Sequence, residues 1–163
     1  MKQLFGQYLT AAGDGTGAYN ANLDHSSAAV SYKITVPTGE TYNLARMLIY
    51  IEDTTPMSIT DYGKLTALTN GVSFTATIGG ETLVLDGGVP VKANGGYKAL
   101  CYDQTIDSAG SGNDICAVRW TFTTYGGPLV LSEGDSFQAI LNDNFTGLVA
   151  HTFFVEGIRY FGG

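Results

Sequence analysis

Charge is what this chain has least of. Lys, Arg, Asp and Glu make up 14% of its 163 residues, where roughly a quarter is usual for a soluble protein. Such a deficit points to surface covered by something other than water, another subunit for example. The eight Lys and Arg stand singly against fifteen acids, for a net charge of −7. That leaves no basic stripe, which argues against tracking a phosphate backbone and against an anionic membrane surface. Neither nucleic acid nor membrane is expected as a partner. Cysteine is scarce too: Cys101 and Cys116 match no zinc or redox spacing. The opening MKQLFGQYLTAAGDGTG holds one Lys and no sustained apolar region, so no secretory signal is read there. Free buried thiols are accordingly favoured over a disulfide. No run approaches membrane-spanning length. Synthesis in a cytoplasm is the expectation, with anything outside the cell reached by lysis or assembly.

What is present is strand. Four prolines stand against twenty-two glycines, and ten tyrosines and eight phenylalanines suit strands better than helices. Val30, Tyr32, Ile34 and Val36 alternate with Ala29, Ser31, Lys33 and Thr35, the period of a half-buried antiparallel strand. Tyr42–Glu52 reads as a second strand, apolar at every position from Met47 to Ile51, so both of its faces need cover. Val72–Ile78 alternates again, Gly79-Gly80 signals a hairpin, and Glu81–Leu85 returns. Ile115–Thr124 places Cys116, Val118, Trp120 and Phe122 on one face. Ser136–Leu141 follows a turn signal, and a long closing strand sets Thr152 and Phe154 against His151, Phe153 and Val155. Tyr62, Leu65 and Leu68 predict one short helix in a connection, and Asp103–Asp114 reads as a flexible loop. The fold class expected is all-β: an antiparallel β-sandwich or barrel, jelly-roll-like, in a single domain spanning 1–163. Residues 1–27 supply an N-terminal strand or arm plus a loop.

Chemistry is harder to find. His25 lies in a polar loop and His151 in the closing strand, and no G-x-S-x-G occurs. A hydrogen-bonded strand histidine at a subunit contact fits His151 better than a general base. Gly13–Gly17 lacks the Lys-Ser/Thr ending of a phosphate loop. Asp103, Asp107, Asn113 and Asp114, or Asn142, Asp143 and Asn144, could offer oxygens to Ca²⁺, but turn chemistry explains them as well. Glu52 with Asp53 is a weak candidate for a glycosidase pair. Trp120 alternates with core residues and is expected inside rather than on a sugar platform with Tyr97, Tyr102 and Tyr125. No enzymatic activity, metal or cofactor is expected.

Three stretches carry a resemblance. They are YNLARMLIYIED (Tyr42–Asp53), ITDYGKLTALTNGVSF (Ile59–Phe74) and EGDSFQAILNDNFTGLVAHTFFVEGIRY (Glu133–Tyr160). In order and style the chain resembles the single-jelly-roll decoration, or cement, proteins of tailed-phage heads. The resemblance implies a structural homotrimer on the capsid surface, made in the host cytoplasm and clamping neighbouring major capsid subunits. It implies no catalytic residues. On this reading Leu48, Tyr50, His151, Phe153 and Val155 face sister subunits, and Phe5 and Tyr8 lie in an N-terminal segment available to the capsid floor. The alternative is a trimeric receptor- or carbohydrate-binding head domain of a phage fibre or spike.

Overall fold

The alternation that marks Val30–Thr35 as a strand also decides which way it faces. Tyr32 and Ile34 are buried while Lys33 and Thr35 are exposed. In the computed structural model, which describes residues 1–8, 10–11, 19–20, 29–53, 70, 72–85, 101–108, 114–122, 127–141 and 150–162, the elements are all strands. They are β1 (Lys2–Tyr8), β2 (Thr10–Ala11), β3 (Tyr19–Asn20), β4 (Val30–Thr35), β5 (Glu40–Asp53) and β6 (Val72–Ile78), followed by β7 (Glu81–Val84), β8 (Cys101–Ser108), β9 (Asp114–Thr121), β10 (Leu129–Leu131), β11 (Ser136–Leu141) and β12 (Ala150–Phe161).

They form two antiparallel sheets. Sheet 1 runs β1-β12-β5-β9-β8, with β3 also pairing β12 and β10 also pairing β5; sheet 2 runs β2-β4-β11-β6-β7. Eight of these strands give the orders β1-β12-β5-β9 and β4-β11-β6-β7. The chain steps between sheets from β4 to β5 to β6 and again from β9 to β11 to β12. This is the double Greek key of a jelly roll. Tyr8 ends β1 in sheet 1 and Thr10 opens β2 in sheet 2.

The core lies between the sheets. Tyr32, Phe74, Phe137 and Leu141 of sheet 2 meet Tyr42, Leu44, Met47, Phe153 and Val155 of sheet 1. The Tyr32 ring stacks on Phe153 across the gap at 5.0 Å, and Phe122 meets Phe137 edge-on at 5.4 Å. Each such side chain contributes about 1.5–3 kcal/mol by leaving water.

Two local devices fix the geometry. Ile78 pairs with Glu81 around Gly79 and Gly80, whose φ values of 59° and 87° belong to the left-handed region that this tight hairpin needs. Asp135, itself buried, accepts from the Gly79 N–H through Oδ1 and from the Ser132 N–H through Oδ2, both at 2.8 Å. One carboxylate thereby ties the β6–β7 hairpin to the β10–β11 turn. Within β5, Arg46 pairs with Glu156 but Leu44 with Gly157, leaving Ala45 as a bulge. Its neighbour strand changes there too: β9 pairs Arg46–Asp53 and β10 pairs Tyr42–Leu44.

One expectation is corrected. Most of the supposed flexible loop Asp103–Asp114 is strand, because β8 pairs with β9 from Cys101↔Thr121 to Ser108↔Asp114. The polar sequence hides a strand at the edge of a sheet, where no continuous apolar pattern is required. The short helix expected around Tyr62, Leu65 and Leu68 lies outside the described residues, as do His25, Tyr97, Tyr125 and Asn142–Asn144.

Candidate functional site

Residues directly opposite in an antiparallel pair share a face, so the register of sheet 1 lays its outer face out in rows. Leu4 stands opposite Ile158, which pairs with Asn43. Gly6 stands opposite Glu156, which pairs with Arg46. Tyr8 stands opposite Phe154, which pairs with Leu48. Tyr50 follows, opposite Thr152. Three consecutive strands thus carry an apolar and aromatic band pointing away from the core.

The band is accessible. Leu4 is 80% exposed, Tyr8 55% and Tyr50 42%, while Leu48 is nearly covered at 6%. Phe154 meets Tyr8 edge-on at 4.9 Å, and its ring lies over Gly6 in the room a side chain would occupy there. Beside it runs an open groove of about 610 Å³, walled by Leu4, Phe154 and Ile158, with Gly6, Ala45 and Gly157 at its floor. Gly157 has no substitute at that floor. A Cβ there would collide with the Asn43 carbonyl oxygen, since the bulged β5 backbone comes close. Arg46 donates from Nε at 2.8 Å to Glu156 Oε2 and pairs with the same oxygen through Nη2, in a half-exposed ion pair that crosses the band between the Leu4–Ile158 row and the Tyr8–Phe154–Leu48 row.

No family model, curated protein or solved structure matches the chain.

The residues expected at an interface fall into three groups. Leu48, Tyr50 and Tyr8 come together on the outer face. Phe153 and Val155 do not: both are 0% exposed and lie in the core of a single chain, so they have no surface to offer a sister copy. Phe153 faces inward because β12 is apolar at both parities, and Glu156 marks the parity of Phe154 as the outer one. Phe5 also turns inward, half-buried, with its ring 4.6 Å from Tyr42. The backbone of His151 pairs with Ile51 and Asn20; its side chain lies outside what the structure describes, as does that of Trp120. Leu4, Phe154 and Ile158 were missed. The charges Arg46 and Glu156, at the same parity as Leu48 and Phe154 on their own strands, were the signal for the outer face.

At one end of the sandwich Arg159 donates to Gln3 Oε1 from Nη2 at 2.8 Å and lies over the Phe161 ring at 4.9 Å. Burial first, then the Glu40 carboxylate, raises the pKa of the Tyr42 hydroxyl, against the nearby Arg159 guanidinium, which lowers it. The cluster fastens β1, β5 and β12 together. Asp103, Asp107 and Asp114 are spread along the β8–β9 hairpin rather than gathered in one loop. Among the described residues no three His, Cys, Asp or Glu are grouped to hold a metal ion, and no helix is long and apolar enough to cross a membrane.

Proposed function

We propose that this chain is a non-catalytic structural protein of a tailed-phage virion, acting as a homo-oligomer on the outside of the assembled capsid. The observation that carries the reading is the band on one face of the sandwich in which Leu4, Tyr8 and Tyr50 are exposed and Phe154 is half-buried. Apolar side chains grouped on one face, here crossed by the Arg46–Glu156 pair, support a protein–protein contact. The low charge of the chain and its resemblance to capsid decoration proteins supply the rest, including the trimer and the major capsid protein as partner. Binding only the assembled shell would stabilise that shell by mass action. The test is to heat capsids of the phage that carries this gene, with and without the purified protein. A raised rupture temperature supports the reading. Equal rupture temperatures, or retention on a glycan array in place of capsids, overturn it in favour of a receptor-binding head domain.

A further inference from the structure

One edge of the sandwich lacks the features that keep sheet edges from pairing. β1 is held on one side by β12, and among the described strands nothing pairs with its other side. Its residues are exposed throughout except Phe5. Native edge strands are blunted by shortness, charge, proline or a bulge, because their unpaired N–H and C=O groups template further strands. The other described edges follow that rule. β2 and β3 have two residues, β10 three and β7 four, and β8 carries Asp103 and Asp107. β1 runs for seven residues without a proline, pairs with β12 without a register shift, and holds one charge, Lys2, at its end.

The ladder decides which groups this edge presents. The Met1 nitrogen donates to the Phe161 carbonyl at 3.2 Å, and the Phe161 N–H donates to the Met1 carbonyl at 2.8 Å. These two residues are therefore a hydrogen-bonded pair. Bonded and non-bonded pairs alternate along an antiparallel ladder. By that alternation Gln3, Phe5 and Gln7 bond to β12, while Lys2, Leu4, Gly6 and Tyr8 turn N–H and C=O to the free side. Two of the same residues, Leu4 and Tyr8, carry exposed apolar side chains on the outer face. The Phe154 ring covers Gly6 between them, which stiffens the edge at its one glycine.

We infer that the free edge of β1 takes an extended strand from another protein, added antiparallel as a further strand of sheet 1. This rests on the reading above only in taking the chain to bind another protein. Only an extended chain returns N–H and C=O groups to every second residue of β1; a helix or a glycan does not. Residues opposite Leu4 and Tyr8 share the outer face with them, so the incoming strand is β-branched or aromatic there. Opposite Lys2 it is acidic, and opposite Gln3 and Gln7 it is polar and neutral. A second copy fits worse. The two-fold pairing that uses all seven residues of β1 sets Leu4 against Gly6 and Tyr8 against Lys2. Neither exposed apolar side chain then gains an apolar partner, and both chains carry −7.

The experiment reads amide hydrogen exchange of the full chain by NMR, alone and with the end-capped synthetic peptide KKVTTIVTE at millimolar concentration. The last seven residues of the peptide match Tyr8 to Lys2 in that order. In the free protein the Leu4, Gly6 and Tyr8 amides are expected to exchange about tenfold faster than those of Gln3, Phe5 and Gln7. The peptide is expected to slow the first set and leave the second unchanged. Leu4→Ala and Leu4→Pro both lose the side chain, but only proline loses the outward N–H, at a position where the ladder to β12 loses no bond. Leu4→Pro is expected to bind the peptide about tenfold more weakly than Leu4→Ala, the effect of one hydrogen bond at the upper end of its range. Equal rates in the free protein, a peptide that protects nothing, or equal binding by the two variants would overturn the inference. So would protection that grows with protein concentration in the absence of peptide, which assigns the edge to a second copy. Where thermal unfolding shows that Leu4→Pro does not fold, the exchange pattern of the wild type decides. Capsid binding is measured in parallel. Peptide capture by a protein that ignores capsids sinks the proposed function and leaves this inference standing; a protein that binds capsids but not the peptide does the reverse.

Discussion

Sheets 1 and 2 bury their inner faces against each other with the same kinds of residue, yet their outer faces differ in how much of them is apolar. Lys33, Thr35, Thr75 and Gln138 line one, with Ile140 and Val84 among them; Leu4, Tyr8, Leu48, Tyr50 and Phe154 line the other, with Arg46 and Glu156 between them. Inner faces are set by folding alone, since any jelly roll must fill the space between its layers. Outer faces are free of that demand, so their difference reports on what each one meets. A face that is largely hydroxyl and amide needs less cover from anything but water. An aromatic face leaves apolar area in water unless another surface covers it.

The sharpest way to probe this is through consecutive residues of β12 that point in opposite directions. Phe153→Ala empties a site that is 0% exposed and stacked on Tyr32, and is expected to cost about 3–5 kcal/mol in urea unfolding. Phe154→Ala in the same assay, at concentrations low enough to hold the chain as a single copy, is expected to cost much less. Equal losses would mean that Phe154 belongs to the core and that the outer band is misjudged.

Next in size is the floor of the groove. Gly157→Ala pushes a methyl group into the Asn43 carbonyl at the bulge and is expected to destabilise by about 1–3 kcal/mol, as overpacking does. The bulge sets the parity of Leu48 and Tyr50, so association should weaken along with stability. A variant as stable as wild type would show that the β5 backbone yields there at little cost.

On sheet 2, Gln138→Ala removes one hydrogen bond to Thr75 and is expected to cost about 0.5–1.5 kcal/mol while leaving the assembled mass unchanged. A change of mass would assign the polar face a contact of its own. The smallest effect belongs to the Arg46–Glu156 pair. A double-mutant cycle on it should yield a coupling of about 0.2–1 kcal/mol in the single copy, because the pair is half-exposed. A larger coupling in the assembly than in the single copy would place the pair under the covering surface.

Much of the fold was legible in the sequence. Alternation alone marked β4 and β6, because period two over six or seven residues has no other reading, and Gly79-Gly80 marked β7 as the hairpin partner of β6. The outer band was legible in part, through Leu48, Tyr50 and Tyr8. Three features were not. Phe153 and Phe154 make β12 apolar on both sides, so its apolar pattern does not choose an inner face, and only the charge of Glu156, at the parity of Phe154, points to the outer one. Ala45 adds one residue to β5, which places Leu44 and Met47 both inside although they are three apart, and strict alternation cannot follow such a shift. β8 pairs at the edge of sheet 1 with a sequence, CYDQTIDS, that has no continuous apolar row, so its strand character comes from its partner.

The most direct measurement is tyrosine nitration of the native full chain, read residue by residue by mass spectrometry. In a lone copy Tyr8 and Tyr50 stand in water while Tyr32 and Tyr42 are enclosed. With the outer face of sheet 1 covered by another protein surface, Tyr8 and Tyr50 should react as slowly as Tyr32 and Tyr42 in the capsid-bound protein. Rapid nitration of Tyr8 and Tyr50 in the capsid-bound protein would contradict the account.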